Sequence, residues 1–152
     1  MYDFVDRPVT SLNRGGRLLI GAMRHWVRAV QAGRCPCGDV GPAFGKWNLM
    51  AGFPHFHDMM VALNQNALEK QRFGPVGCER VSEHEALIIA MIRALRSQPA
   101  DQVAHTAALV VGEAQVSQLL VPMTALARTL ADANIFPAAP IFDPDCTRFS
   151  ND

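Results

Sequence analysis

The residues best suited to chemistry are four: Cys35, Cys37, Cys78 and His84. Thiolate sulfur and neutral imidazole nitrogen are the ligands a tetrahedral zinc ion prefers, so together they compose a candidate structural Zn site. Structural zinc sites usually present two C-x₂₋₄-C pairs. This chain offers one C-x-C, Cys35-Pro36-Cys37, and the fold must bring in the other two ligands. Cys78 lies near Arg80 and four residues before Ser82, a candidate helix cap, where the positive helix end favours thiolate. His84, in the first turn of that helix, should be neutral in the same field, which is the form that ligates. The plain alternative is a small buried thiol and an ordinary first-turn histidine.

The same residues support a second chemistry. A disulfide between residues two apart closes a strained small ring and is exchange-active rather than structural, so Cys35 and Cys37 could serve a thiol-based redox enzyme or sensor, with Cys78 as a resolving or low-pKa thiol. No thioredoxin-like strand and helix pattern surrounds the pair, and the spacing is not C-x-x-C. Iron–sulfur ligation is disfavoured, because Cys146 falls in an irregular tail and no ferredoxin spacing is present.

Other constellations carry less. If Pro54 begins a helix, His55 and His57 lie about 200° apart and cannot share an ion, whereas His55 and Asp58 can. Arg17, Arg24 and Arg28 share one helical face, which reads as a phosphate grip or, more simply, as a solvated stripe. Ser82 and Glu85 form an S-x-x-E capping box, and this explains them without catalysis. Met50, Met59, Met60 and Met91 read as adaptable core, or as the wall of an apolar small-molecule pocket. The chain contains no G-x-S-x-G, H-E-x-x-H, Walker A or G-x-G-x-x-G motif. No residue is assigned a catalytic role.

The elements that must position these residues are helical. Asn13 is the expected cap of a first helix running to about residue 32 and stopped by Gly33, with Leu19, Met23, Trp26, Val27 and Val30 on its apolar face. A loop over 34–41 should precede a short helix over 42–51. A third helix starts at Pro54 and runs to about 72, before Gly74-Pro75. The Ser82 box opens a fourth, central helix. A fifth runs from Pro99 to about 120, weakened at Gly112, and Pro122 kinks it or starts a sixth ending near Asn134. Residues 1–12 are an irregular lead-in and 136–152 a Pro-rich irregular tail. No alternating strand pattern emerges.

Two stretches, Leu18–Arg24 and Cys78 through Ala86, resemble an uncharacterised family of small bacterial helical proteins, the likeness spanning about the first two-thirds of the chain. Members of that family carry extra cysteines around the position of Cys78, where this sequence has Gly77 and Glu79. No activity is attached to the family, so the resemblance implies only a small helical fold.

With 152 residues the chain suits one domain, large enough to fold without metal or disulfide. Charged residues are only 18%, against roughly 25% in an average soluble domain, which predicts that part of the surface is covered by another subunit or a protein partner. Lys plus Arg and Asp plus Glu both count 14, which removes the generic argument for nucleic acid or an anionic membrane. The acidic start Met1-Tyr2-Asp3 does not read as a secretory signal, and no apolar run reaches the ~20 residues of a membrane span, so a cytoplasmic location is expected. The sequence therefore predicts an all-α, compact single-domain bundle of about five or six helices. Its expected role is that of a non-enzymatic homo-oligomer or partner-binding protein with a structural zinc; the alternatives are the Cys35/Cys37 redox protein and a small-molecule binder.

Overall fold

In the computed structural model, which describes residues 3–140, the chain folds into α1 (Arg14–Gln31), α2 (Pro36–Lys46), α3 (Phe53–Asn66), α4 (Glu83–Ser97), α5 (Ala100–Val111) and α6 (Val116–Asp132). Short 3-10 turns precede α1, α3 and α6, and the described residues contain no strand. The all-helical bundle expected from the sequence is therefore the observed fold. Helix α3 packs along α6, α2 lies on α1, and α4 meets α1, α5 and α6. One continuous core runs through all of them, with Leu19, Met23, Phe44, Phe56, Leu63, Ile89, Met123 and Leu126 among its fully buried side chains.

The helix ends follow local chemistry. Asn13 accepts from the Gly16 amide at 2.9 Å and so caps α1 as expected. Helices α1, α2 and α6 finish alike, each on a residue in the left-handed region: Gly33, Asn48 and Asn134. In each, the next amide reaches back to the last turn: Arg34 to the Ala29 carbonyl, Leu49 to Phe44 and Ile135 to Leu130. These are Schellman closures, in which Gly or Asn tolerates the positive φ. Ser82 and Glu85 form the full reciprocal capping box of α4.

Three boundaries differ from the sequence expectation. Helix α2 begins at Pro36 rather than 42, since a proline at the first helical position has no amide to waste. It then continues through Pro42, where the bond to the Gly38 carbonyl is forfeited, because Val40 and Phe44 anchor it in the core. Helix α3 stops at Asn66, not 72, because the Leu68 amide leaves to pair with the Val110 carbonyl at 2.8 Å. The expected break near Pro122 lies instead at Gly112, whose φ of 85° ends α5, and α6 leaves at 114° to it with Pro122 buried inside the helix. No single helix among the described residues is long and apolar enough to cross a membrane.

The lead-in is less irregular than expected. It pairs antiparallel with 79–81, through Asp6 N–H to Val81 O (3.0 Å), Val81 N–H to Arg7 O (2.9 Å) and Val9 N–H to Glu79 O (2.8 Å). At the other end of the chain the 135–136 backbone crosses the start of α1, where the Asn13 amide donates to the Phe136 carbonyl at 2.8 Å. A Cβ on Gly15 would sit 1.8 Å from the Ile135 carbonyl oxygen, so only glycine permits this crossing. Gly21, in the same helix, has open space around it. In urea denaturation, Gly15→Ala should lose about 1–3 kcal/mol through overpacking, while Gly21→Ala should gain about 0.5–1 kcal/mol from helix propensity alone. Equal effects at the two positions would contradict the crossing.

Candidate functional site

The Cys-Pro-Cys segment occupies the junction of α1 and α2. The Schellman turn at Gly33 reverses the chain, Cys35 becomes the N-cap of α2 in an extended conformation, Pro36 is the first helical residue and Cys37 the second. Pro36 is buried, whereas Cys35 and Cys37 are exposed. Their sulfurs are joined as a disulfide, with Cα atoms 5.5 Å apart. The Cys35 side chain makes no capping hydrogen bond, so it leaves the first-turn amides of α2 uncapped.

Charged groups frame this turn. Arg34 donates from Nη2 to Asp39 Oδ2 at 2.7 Å. That hydrogen bond is the main reason the Asp39 carboxyl is held below its ordinary range; Arg28 and His25 add a weaker pull in the same direction, and desolvation opposes them. Because the carboxyl is held low, the bridge is intact above the ordinary aspartate range and is lost only as pH falls through the depressed value.

Cys78 and His84 lie elsewhere. Cys78 sits in the 67–82 segment, its thiol donating to the Arg80 carbonyl at 3.5 Å and its own carbonyl accepting from Arg24. His84 Nδ1 accepts the Arg72 amide at 2.8 Å. Arg24 is seven residues before the end of α1 at Gln31, roughly 10 Å along its axis, and helical side chains lean toward the N-terminus and so away from the Cys-Pro-Cys turn. The structure thus joins Cys35 with Cys37 and does not bring them together with Cys78 and His84. Among the described residues, no group of three or more His, Cys, Asp or Glu side chains is placed to hold a metal ion. Cys146 lies outside the described residues.

The histidines of α3 separate as their spacing requires. Pro54 is in the first turn of that helix, and His57 Nδ1 accepts the indole N–H of Trp26 at 3.0 Å while its ring stacks on Phe53.

The largest correction concerns Arg24. Arg17 and Arg28 are exposed as a solvated stripe would be, but Arg24 is only 4% exposed because the 67–82 segment crosses α1 over it. Its guanidinium makes four hydrogen bonds: Nε to Glu85 Oε1 (2.7 Å), Nη2 to Glu85 Oε2 (3.0 Å), Nη1 to Cys78 O (2.6 Å) and Nη2 to Arg80 O (2.7 Å). Glu85 is fully buried, and its two oxygens also accept the Gly74 and Ser82 amides at 2.9 and 2.8 Å. The Glu85 hydrogen bond raises the Arg24 pKa against the lowering effect of burial, keeping the guanidinium charged. The sequence pattern marks Glu85 as a cap and Arg24 as surface, and a separation of 61 positions carries no local signal that they meet.

Comparison of the chain with family models, curated proteins and solved structures returned no match.

Glu85→Gln keeps the shape of the carboxylate while leaving Arg24 charged, buried and without its counterion. This should cost about 3–5 kcal/mol in chemical denaturation, and Glu83→Gln in the same first turn should cost under about 0.5 kcal/mol. Similar losses at both positions would mean that the buried pair contributes nothing beyond surface charge.

Proposed function

We propose that the protein is a thiol–disulfide redox protein whose reactive pair is Cys35 and Cys37. The observation that carries this reading is two exposed sulfurs joined to each other in the first turn of a helix. Exposure gives a partner thiol access, which exchange requires and a structural crosslink does not. Two residues of spacing enclose almost no chain, so the crosslink removes little entropy from the unfolded state and stabilises the fold little. The helix end favours the thiolate that forms when the bond opens, and Arg34 places a cation in the adjacent position.

The reaction balances with an external thiol as co-reactant. A thiolate of the reductant attacks one sulfur of the pair, the Cys35–Cys37 bond breaks, and the displaced sulfur leaves as a thiolate that takes up a proton. A second reductant thiol then attacks the mixed disulfide and releases the other cysteine. The pair gains two electrons and two protons, and two reductant thiols end as one disulfide. In reverse, the pair oxidises a dithiol.

Equilibration in graded mixtures of reduced and oxidised dithiothreitol, followed by alkylation and peptide mass spectrometry, tests this. Cys35 and Cys37 should titrate together as one two-electron unit, with the circular dichroism of the helices unchanged. Reduction of insulin by dithiothreitol should run faster in the presence of the protein, fall to the uncatalysed rate in Cys35→Ser and Cys37→Ser, and persist in Cys78→Ser. A pair that stays reduced throughout, or serine variants as active as the wild type, would overturn the reading.

A further inference from the structure

The charges around the Cys35–Cys37 pair do not balance. Between Arg24 and Trp47 the sequence sets Arg28, Arg34 and Lys46 against a single carboxylate, Asp39, in a chain whose formal net charge is zero. Lys46 lies at the far end of α2, over the Trp47 ring, so of these four it is Arg28, Arg34 and Asp39 that belong to the disulfide turn.

Each has a defined place there. Arg34 immediately precedes Cys35 and Asp39 follows Cys37 by two residues, so their 2.7 Å bridge spans the turn. The bridge uses only Nη2 of Arg34, and that side chain is 50% exposed, with no other hydrogen bond from its guanidinium among the described residues. Arg28 stands in the last turn of α1, exposed and without an ion pair among the described residues. Its charge and that of Arg34 both act on the Asp39 carboxylate, which gathers the three around the first turn of α2. Asp39 therefore offsets one cation and leaves the other uncompensated beside an exposed disulfide. An exchange partner must bring its thiolate to bonding distance of a sulfur at this turn, and any second anionic group it carries arrives with it. A carboxylate is the group that a planar guanidinium matches best, two oxygens on two parallel N–H donors.

We propose that the Cys35–Cys37 pair exchanges preferentially with small thiols that carry a carboxylate, Arg28 and the unused N–H groups of Arg34 receiving the carboxylate while the sulfur reacts. This rests on the redox reading above and adds to it the class of co-reactant. In the first step the incoming thiolate bonds to one sulfur of the pair, the Cys35–Cys37 bond breaks, and the displaced cysteine leaves as a thiolate that takes a proton from solvent. The mixed disulfide holds its carboxylate beside the two arginines until a second thiol releases it. Two thiols are oxidised to one disulfide, and the pair is reduced by two electrons.

The test is the rate at which 3-mercaptopropionate, 2-mercaptoethanol and cysteamine reduce the oxidised protein at neutral pH, followed by alkylation and mass spectrometry. Each rate is divided by that of the same thiol on the neutral 2-hydroxyethyl disulfide, which removes differences in thiol pKa and nucleophilicity. At low ionic strength 3-mercaptopropionate should exceed 2-mercaptoethanol by about three- to tenfold, the effect of one or two unit charges across a few ångströms of water, and cysteamine should be slowest. The ratio should fall toward unity at about 1 M salt, where charges are screened within ~3 Å. Arg28→Gln should shrink it, Arg28→Lys should retain most of it, and Asp39→Asn should enlarge it by releasing Arg34, with circular dichroism verifying the helices of each variant. Equal normalised rates for the three thiols, or a ratio unmoved by both Arg28→Gln and Asp39→Asn, would overturn the carboxylate preference and leave the redox reading standing. A disulfide that none of the three thiols reduces would overturn both.

Discussion

The buried pair of Arg24 and Glu85 is the constraint on which the rest of the arrangement depends. Taking two charges out of water costs several kcal/mol each, and their attraction recovers this only when the remaining donors and acceptors are satisfied. Here the chain supplies those partners from one place. The carbonyls of Cys78 and Arg80 take guanidinium protons, and the amides of Gly74 and Ser82 complete the carboxylate. The pair therefore takes its completing partners from the 67–82 segment, which lies over it. Gly74 belongs to the same solution: a Cβ there would stand 2.9 Å from the Arg24 guanidinium, so the backbone can lie against the cation only as glycine.

What was legible in the sequence follows from the range of the interactions involved. The Asn13 cap, the Gly33 stop and the Ser82–Glu85 box are contacts within a few residues, and each formed where the local pattern pointed. The ends of α2 and α3 were misjudged because packing decides them. Phe44, which meets Phe53 and Phe56 at 5.7 and 5.3 Å, holds α2 together across Pro42, and the bond from Leu68 to Val110 draws the chain out of α3. Helix periodicity placed Arg24 with Arg17 and Arg28, and that face assignment is right. Its solvation is what changed, because periodicity says which residues share a face and not what crosses it.

The Cys-Pro-Cys turn shows a middle case. The spacing marked Cys35 and Cys37 as a pair, but reading 34–41 as a loop concealed that they cap and open a helix. Its rigidity comes from both sides: the Schellman closure of α1 fixes the chain up to Arg34, and buried Pro36 and Val40 fix it from Pro36 onward. The sulfurs are thus exposed on a frame that does not need them, since the contacts holding α1 to α2 lie in the core. A bond on such a frame can open and close while its surroundings stay put, which is the mechanical requirement for exchange without unfolding.

The 67–82 segment links this frame to the remaining features. Irregular connections of that length are uncommon inside a small domain, because ordering each residue costs about 1–2 kcal/mol of backbone entropy and no helical ladder returns it. Its second half recovers the cost through Arg24, Glu85 and the antiparallel pairing with the lead-in. Its first half has fewer such bonds: Leu68 on Val110, the Arg72 amide on His84 and the Arg72 carbonyl on Ser82 hold it at intervals. The segment is thus tied most firmly where it completes the ion pair, and the same bonds that satisfy Arg24 and Glu85 fix α1 against α4.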